Sequence, residues 1–367
     1  MPIPLSLLVA HWGRLGAGPR ITARLAEALA GVAGVRVTAS VDARADSLPH
    51  LPAADLVVVK TYTRRWEILG RLPRLVRLSL QTRRLIRDRG IDVYFSPMMS
   101  IWGALGVFLI VPRNVTAVMT VHDADQHPGD RHPFLELCRR LEIARADIVV
   151  AFSQHSADAL RRRISARKTV IWVPHGTDAD PSVQPRSAPA HAPVVGFFGR
   201  ITEYKGIDVY VDALEIVRRT RPDVRGLVVG NGDVDEALIQ RSLDGIEWRI
   251  GWVEESQVEA VVDGFDLVAL PYQEASQSGV LPLAASRGIP VVATPIGGLV
   301  EQAAAAGNTV VSAAATAESV AAAILTVVED PALYERLSAA GIASAAGETA
   351  WQAVAERLAA EIVAARR

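Results

Sequence analysis

One cysteine, Cys138, occurs in the whole sequence. A single thiol excludes an internal disulfide and any CxxC metal site, and it suits a reducing compartment. Charge of one sign is lacking too: 39 Lys and Arg stand against 40 Asp and Glu, a formal net charge of −1. No global field therefore favours nucleic acid as a partner. Long apolar runs are also missing. The most apolar stretch, Ile101–Val111, is about half the length that a membrane-crossing helix needs. The opening run, Pro4–Ala10, is short and gives way to His11, Gly13 and Arg14, unlike a secretory leader. These absences lead us to expect a soluble, cytoplasmic protein, at most peripheral on the inner face of the cell membrane.

What is present is length and periodicity. The 367 residues exceed what one core usually supports, so two domains are expected. Short β-branched runs recur at Leu5–Ala10, Val35–Val41, Leu56–Lys60, Val115–Val121, Ile148–Phe152 and Thr169–Val173. A second series follows at Val194–Phe198, Gly226–Val229, Trp248–Gly251, Phe265–Leu270 and Ile289–Ala293. Strands apolar on both faces and separated by helical stretches indicate an α/β protein with parallel sheets covered on both sides. From Pro174 to Pro193 there are five prolines and no periodic pattern, which reads as a linker. The expected division is a doubly wound domain over 1–176, a linker over 177–192 and a second doubly wound domain over 193–349. Trp351, Val354, Leu358 and Ile362, spaced by three and four, predict a final amphipathic helix.

Such sheets bind ligands at the carboxyl ends of their strands, so the loops there carry the chemistry. The first is His11-Trp-Gly-Arg-Leu-Gly-Ala-Gly18, whose glycines let the backbone approach a ligand ahead of a helix. Its spacing departs from the dinucleotide pattern G-x-G-x-x-G, which disfavours an oxidoreductase. In the second half, Arg200 and Lys205 stand five residues apart between a strand and a helix, where two cations can clamp a diphosphate. The segment 274–281 supplies Glu274 and then Ser276, Gln277, Ser278 and Gly279, whose small residues expose backbone N–H groups as an anion nest.

Taken in order, three stretches resemble the retaining nucleotide-sugar glycosyltransferases of family 4. They are G-R-x4-K-G over 199–206, P-Y-x-E-A-S-Q-S-G-V over 271–280 and R-G-x-P-V-V-A-T-x-x-G-G-x-x-E over 287–301. The loop is similar to that of an S-Q-S-G subgroup. Val173-Pro-His-Gly-Thr-Asp178, Val228-Val-Gly-Asn-Gly232, Gly251-Trp-Val-Glu254 and Val121-His-Asp123 add to the likeness, which covers nearly the whole chain.

The resemblance implies a GT-B fold, with two Rossmann-like domains facing a central cleft. The helix near 350–367 would cross back to the first, acceptor-binding domain. It implies a UDP- or GDP-linked sugar donor held in the second domain and a glycan or lipid-linked glycan acceptor. It also implies that no metal or other cofactor is required. The residues implied as catalytic are His122, against the transferred sugar, Arg200 and Lys205 on the diphosphate, and Glu274. Those implied for the donor are Gly16, Gly18, Gly199, Gly230, Asn231, Val253, Ser276, Gln277, Ser278, Gly279 and Val280.

One departure bears on mechanism. The family often carries two glutamates eight apart, and counting back from Gly288 places them at Ala275 and Leu283. Glu274 fills the first role only with a shift of one residue, and the second carboxylate, which holds the ribose, is replaced. Retaining glycosidases need two carboxylates about 5–5.5 Å apart, and this loop offers one. Front-face transfer, in which the leaving phosphate accepts the acceptor's proton, needs only cations and positioning.

Two further features invite other readings. His122, His127 and His132 stand among Asp123, Asp125 and Asp130. Histidines five apart in a loop share no helix face, and the D-x-D spelling recurs at 178–180 and 233–235, so no metal site is expected. From Arg64 to Arg89 nine arginines face Glu67 and Asp88, interleaved with apolar residues. Such a basic amphipathic helix can lie on an anionic membrane or form an ordinary solvated face. The leading expectation is hexose transfer in cell-surface polysaccharide assembly. The alternatives are a natural-product tailoring transferase and a non-catalytic nucleotide-sugar binding protein.

Overall fold

A computed structural model of the chain describes residues 5–14, 16–45, 55–61, 70–122 and 132–366. These form two compact units. The first comprises the described residues up to 173 and from 351 onward, and the second those from 174 to 350.

The first unit is built on seven parallel strands: β1 (Leu5–His11), β2 (Val35–Asp42), β3 (Leu56–Val59), β4 (Val93–Ser96), β5 (Thr116–Thr120), β6 (Ile148–Ala151) and β7 (Thr169–Trp172). Their order is β3-β2-β1-β4-β5-β6-β7. Helices α1 (Ala17–Ala30), α2 (Leu72–Asp88), α3 (Ile101–Ile110), α4 (Pro133–Arg145) and α5 (Gln154–Arg163) connect them. The pleat of β1 explains why both sheet faces must be covered. Leu7 and Val9 join an apolar cluster with α1, whereas Leu8 and Ala10 join another with Leu75 and Leu78 of α2. The predicted terminal helix is present at Trp351–Ala365, and its Trp351, Val354, Leu358 and Ile362 are buried in the first of these clusters. The chain therefore closes this unit with its last segment. Each such buried side chain is worth about 1.5–3 kcal/mol.

The second unit has six parallel strands: β8 (Val194–Phe198), β9 (Arg225–Gly230), β10 (Ile246–Ile250), β11 (Leu267–Leu270), β12 (Val291–Ala293) and β13 (Thr309–Val311). Their order is β10-β9-β8-β11-β12-β13. Helices α6 (Ile207–Thr220), α7 (Glu236–Ser242), α8 (Glu255–Asp263), α9 (Val280–Ser286), α10 (Gly298–Ala306), α11 (Ala317–Glu329) and α12 (Pro331–Ala346) cover it. Gly196 in β8 is required by packing, since a Cβ there would lie 2.2 Å from the Phe265 ring. The proline-rich stretch expected as a linker packs on this unit. Arg186 donates to the backbone carbonyls of Arg287 (2.9 Å) and Phe265 (3.1 Å) and pairs with Asp263 at 2.8 Å.

Candidate functional site

In each sheet the strand order reverses once, between β1 and β4 and between β8 and β11. Ligands of open α/β sheets bind outside the carboxyl ends of the strands at such reversals.

In the first unit the reversal is walled by His11. Its Nδ1 lies 2.9 Å from the Met98 carbonyl, so this nitrogen carries the proton and donates. Burial lowers its pKa to about 4, outweighing that hydrogen bond, and the ring is neutral. A Cβ on Gly13 or Gly18 would come within 2.4 or 2.5 Å of Nε2, so the glycines are where the loop folds over the imidazole. Gly16 has φ 83°, a left-handed conformation that favours glycine, and it precedes α1. His122 follows β5 at the same carboxyl end of the sheet, its ring edge-on to Phe152 at 6.5 Å between centroids. The sheet thus brings Gly16, Gly18 and His122 to its carboxyl end, with β4 between their strands. Of the histidine–aspartate stretch, His127 and the aspartates lie outside the described residues. Among the described residues no three His, Cys, Asp or Glu side chains gather to hold a metal ion.

In the second unit the loops after β8 and β11 interlock. Gly199 has φ 115°, followed by Arg200, whose Nη2 donates to the Tyr204 hydroxyl at 3.2 Å. A single turn, Glu203–Lys205, ends on Gly206 at φ 67°, where a Cβ would lie 2.1 Å from the Pro271 carbonyl oxygen. Only glycine allows that approach. The Tyr204 carbonyl accepts the N–H of Gln273 at 2.7 Å, and the Lys205 ammonium lies 5.0 Å from the centre of the Tyr272 ring. A cation over an aromatic face is worth about 0.5–2 kcal/mol. The Tyr272 hydroxyl in turn meets Ser278 Oγ at 3.2 Å. Arg200 and Lys205 are therefore tied through two tyrosines to the serine-rich loop.

That loop is pinned at Ser278. Gln302 accepts its N–H at 2.7 Å and donates to its carbonyl at 3.1 Å, while Ser278 Oγ accepts the Val280 N–H at 3.2 Å. Two of the nest's amides are thus committed, and Gly279, exposed between them, stands outside these bonds. Ser276, Gln277 and Ser278 are buried, as are Ala275 and Val280, whereas Glu274 is exposed. Leu283, in place of the family's second glutamate, packs against the apolar cluster of this sheet face. Gly230 ends β9 and Asn231 follows it, its carbonyl accepting the N–H of Ile201 at 2.9 Å. Val253 lines a groove of about 1270 Å³ with Gly251 and Trp252 beyond β10. Sequence reasoning missed Tyr204, Gln302 and His11. Tyr272 and Gln302 each stand in or beside a quoted motif, but their pairing with Ser278 has no local signature.

A family model described as Glycosyltransferase Family 4 matches residues 18–181, and one described as Glycosyl transferases group 1 matches residues 192–330. The chain belongs to glycosyltransferase family 4, of the GT-B fold. Over 221 residues this family 4 chain is 26% identical to the 2-deoxystreptamine glucosyltransferase of Streptomyces kanamyceticus, covering 55% of this chain and 56% of that protein. Over 243 residues it is 31% identical to the D-inositol 3-phosphate glycosyltransferase of Segniliparus rotundus, covering 61% and 54%. The chain thus spans about half the length of the curated relatives it matches. HepE of Anabaena, solved with UDP-glucose, superposes with a TM-score of 0.72 at 18% identity, covering 98% of this chain and 100% of that one. At that identity the likeness concerns the fold.

Proposed function

We propose that this family 4 chain is a hexosyltransferase that takes a sugar from a UDP- or GDP-linked donor, with retention and without a metal. The observation that carries the reading is the coupling of Arg200 and Lys205 to the Tyr272–Ser278 loop at the reversal of the second sheet. Two cations held on a shaped loop meet the charge that develops on a leaving diphosphate. The loop's one carboxylate, Glu274, is exposed, which suits hydrogen bonding to sugar hydroxyls better than a double-displacement nucleophile. In front-face transfer the bond between the anomeric carbon and the diphosphate oxygen breaks. The acceptor oxygen bonds the same face and its proton passes to the leaving phosphate. Arg200 and Lys205 stabilise that phosphate.

The acceptor we favour is a glycan or lipid-linked glycan in cell-surface polysaccharide assembly. A surface of the first unit supports membrane proximity. Leu72, Val76 and Leu80 of α2 form an exposed stripe at four-residue spacing, continued by Arg83 and Arg87. Arg83 donates to the Leu109 carbonyl at 3.3 Å, beside the exposed Phe108. Arg64 and Arg65 of the predicted basic segment lie outside the described residues. The relative named for 2-deoxystreptamine keeps a small-molecule acceptor as the second reading.

The deciding experiment is a thermal-shift panel of UDP-, GDP-, dTDP- and ADP-sugars on the wild type, Arg200→Ala and Lys205→Ala. Both variants should fold yet lose most of the donor-induced shift. Shifts equal to wild type would move the donor elsewhere. Product stereochemistry by NMR tests retention, and an inverted anomeric centre would refute the front-face path.

A further inference from the structure

We infer that the carboxamide of Gln277 reads two adjacent hydroxyls of the donor's sugar ring, and so sets which sugars are accepted. This rests on the donor-site reading above and adds the group that recognises the sugar.

Gln277 is 7% exposed, and both its Oε1 and Nε2 are buried without a hydrogen-bond partner among the described residues. The loop around it is otherwise well satisfied. Ser278, its neighbour, uses its N–H, carbonyl and hydroxyl on Gln302, Val280 and Tyr272. The carboxamide therefore sits on a fixed backbone, and an orphaned buried donor or acceptor costs about 1–3 kcal/mol. Ala275, Val280 and Leu281 of the same segment are buried apolar residues, and a leucine at 277 would carry no orphaned polar atom. A buried polar group kept at such a cost calls for a partner that arrives from outside.

The chemistry of that partner follows from the amide. A phosphate oxygen only accepts, so it would satisfy Nε2 and leave Oε1 orphaned. A hydroxyl both donates and accepts, and two neighbouring hydroxyls match a carboxamide's acceptor and donors side by side. The diphosphate's charge is already met by Lys205, which reaches this loop through Tyr272, and by Arg200, which reaches it through Tyr204 and Gln273. Beside a diphosphate stand two neutral rings with neighbouring hydroxyls, the ribose and the transferred sugar, and binding of the nucleoside diphosphate alone separates them. A site built to hydrogen-bond a hydroxyl rejects the analogue that lacks it, because its own polar atoms are then left unpaired.

The test compares wild type, Gln277→Leu and Gln277→Glu by calorimetry with UDP, GDP, UDP-glucose, GDP-mannose and the 2-, 3- and 4-deoxy forms of the sugar that binds. Melting temperatures are recorded without ligand. Gln277→Leu should melt at or above the wild-type temperature and bind the nucleoside diphosphate unchanged. Its affinity for the sugar-linked nucleotide should fall about 10- to 100-fold. In wild type, two deoxy donors at neighbouring positions should bind correspondingly less well, and the Leu variant should not distinguish them from the parent sugar. Gln277→Glu keeps size and an acceptor but loses the donor, and should lose affinity for one of those two hydroxyls selectively. A melting temperature several degrees lower for Gln277→Leu would assign the amide a structural partner and overturn the proposal. So would an equal loss for the diphosphate alone. Failure of the wild type to bind any nucleoside diphosphate would refute the donor site itself, a result distinct from loss of sugar discrimination.

Discussion

Gly230 lies so close to Gly199 that a Cβ on it would stand 1.7 Å from the Gly199 carbonyl oxygen. The ends of β9 and β8 are thereby in backbone contact, just where Arg200 leaves its strand. An alanine at 230 must push one strand end away, since the clashing atom is main chain. Overpacking of this kind costs about 1–3 kcal/mol. Gly230→Ala should lower the unfolding free energy by that amount and weaken donor binding more than tenfold, because the displaced segment carries Arg200. Wild-type donor affinity with wild-type stability would show that the strand ends are not coupled.

The clamp of Gln302 on Ser278 makes a second, milder prediction. Gln302→Leu removes two hydrogen bonds, at 2.7 and 3.1 Å, and leaves the Ser278 peptide groups to find other partners. Each bond is worth about 0.5–1.5 kcal/mol. The loop should loosen without unfolding the unit, raising the Kd for the donor about 10-fold. Hydrogen exchange at residues 276–280 should accelerate over wild type. An unaltered exchange rate there would mean that Tyr272 alone holds the loop.

These couplings explain what could be read from the residues alone. The β-branched runs that form buried strands were visible because a two-faced strand needs a continuous apolar run. Val93–Ser96 and Thr309–Val311 were not, because their apolar runs are only Val93-Tyr-Phe95 and Val310-Val311. The stretch from Pro174 to Pro193 reads as a linker because it has no period, and its anchoring by Arg186 to main-chain carbonyls far away in sequence leaves no local pattern. In the site, glycines and cations at strand ends announced themselves by residue type. The contacts between Ser278 and Gln302, 24 residues apart, join a side chain to a backbone and leave no pattern. The burial of Gln277 is equally silent, since its loop is polar in sequence.

The stripe of Leu72, Val76 and Leu80 makes the membrane idea testable. Anionic vesicles at low salt should bind the protein, each arginine near the surface adding about 1 kcal/mol, and the attraction should fade within a Debye length as salt rises. Val76→Asp should reduce binding at least tenfold while leaving nucleotide affinity alone. No binding to phosphatidylserine vesicles at low ionic strength would end the idea.

A last prediction concerns Glu142, which is buried against Ser96. Burial pushes its pKa from about 4.5 up to about 8, and the Ser96 hydroxyl at 3.4 Å offsets this only in part. The folded state therefore keeps a proton that the unfolded chain releases above about pH 4.5. Stability is fully present below that point and is lost as pH rises toward 8, at up to about 1.4 kcal/mol per pH unit. His11 works in the opposite sense, held neutral down to about pH 4, so its contribution is lost as pH falls below 6.5. A single wild-type profile mixes the two, but the difference between Glu142→Gln and wild type isolates the carboxyl. Denaturant unfolding should find the variant and wild type alike near pH 4.5. The variant should become progressively more stable from pH 5 to 8, and the gap should stay constant above that. Parallel profiles across the whole range would mean that water reaches this carboxylate in the folded protein.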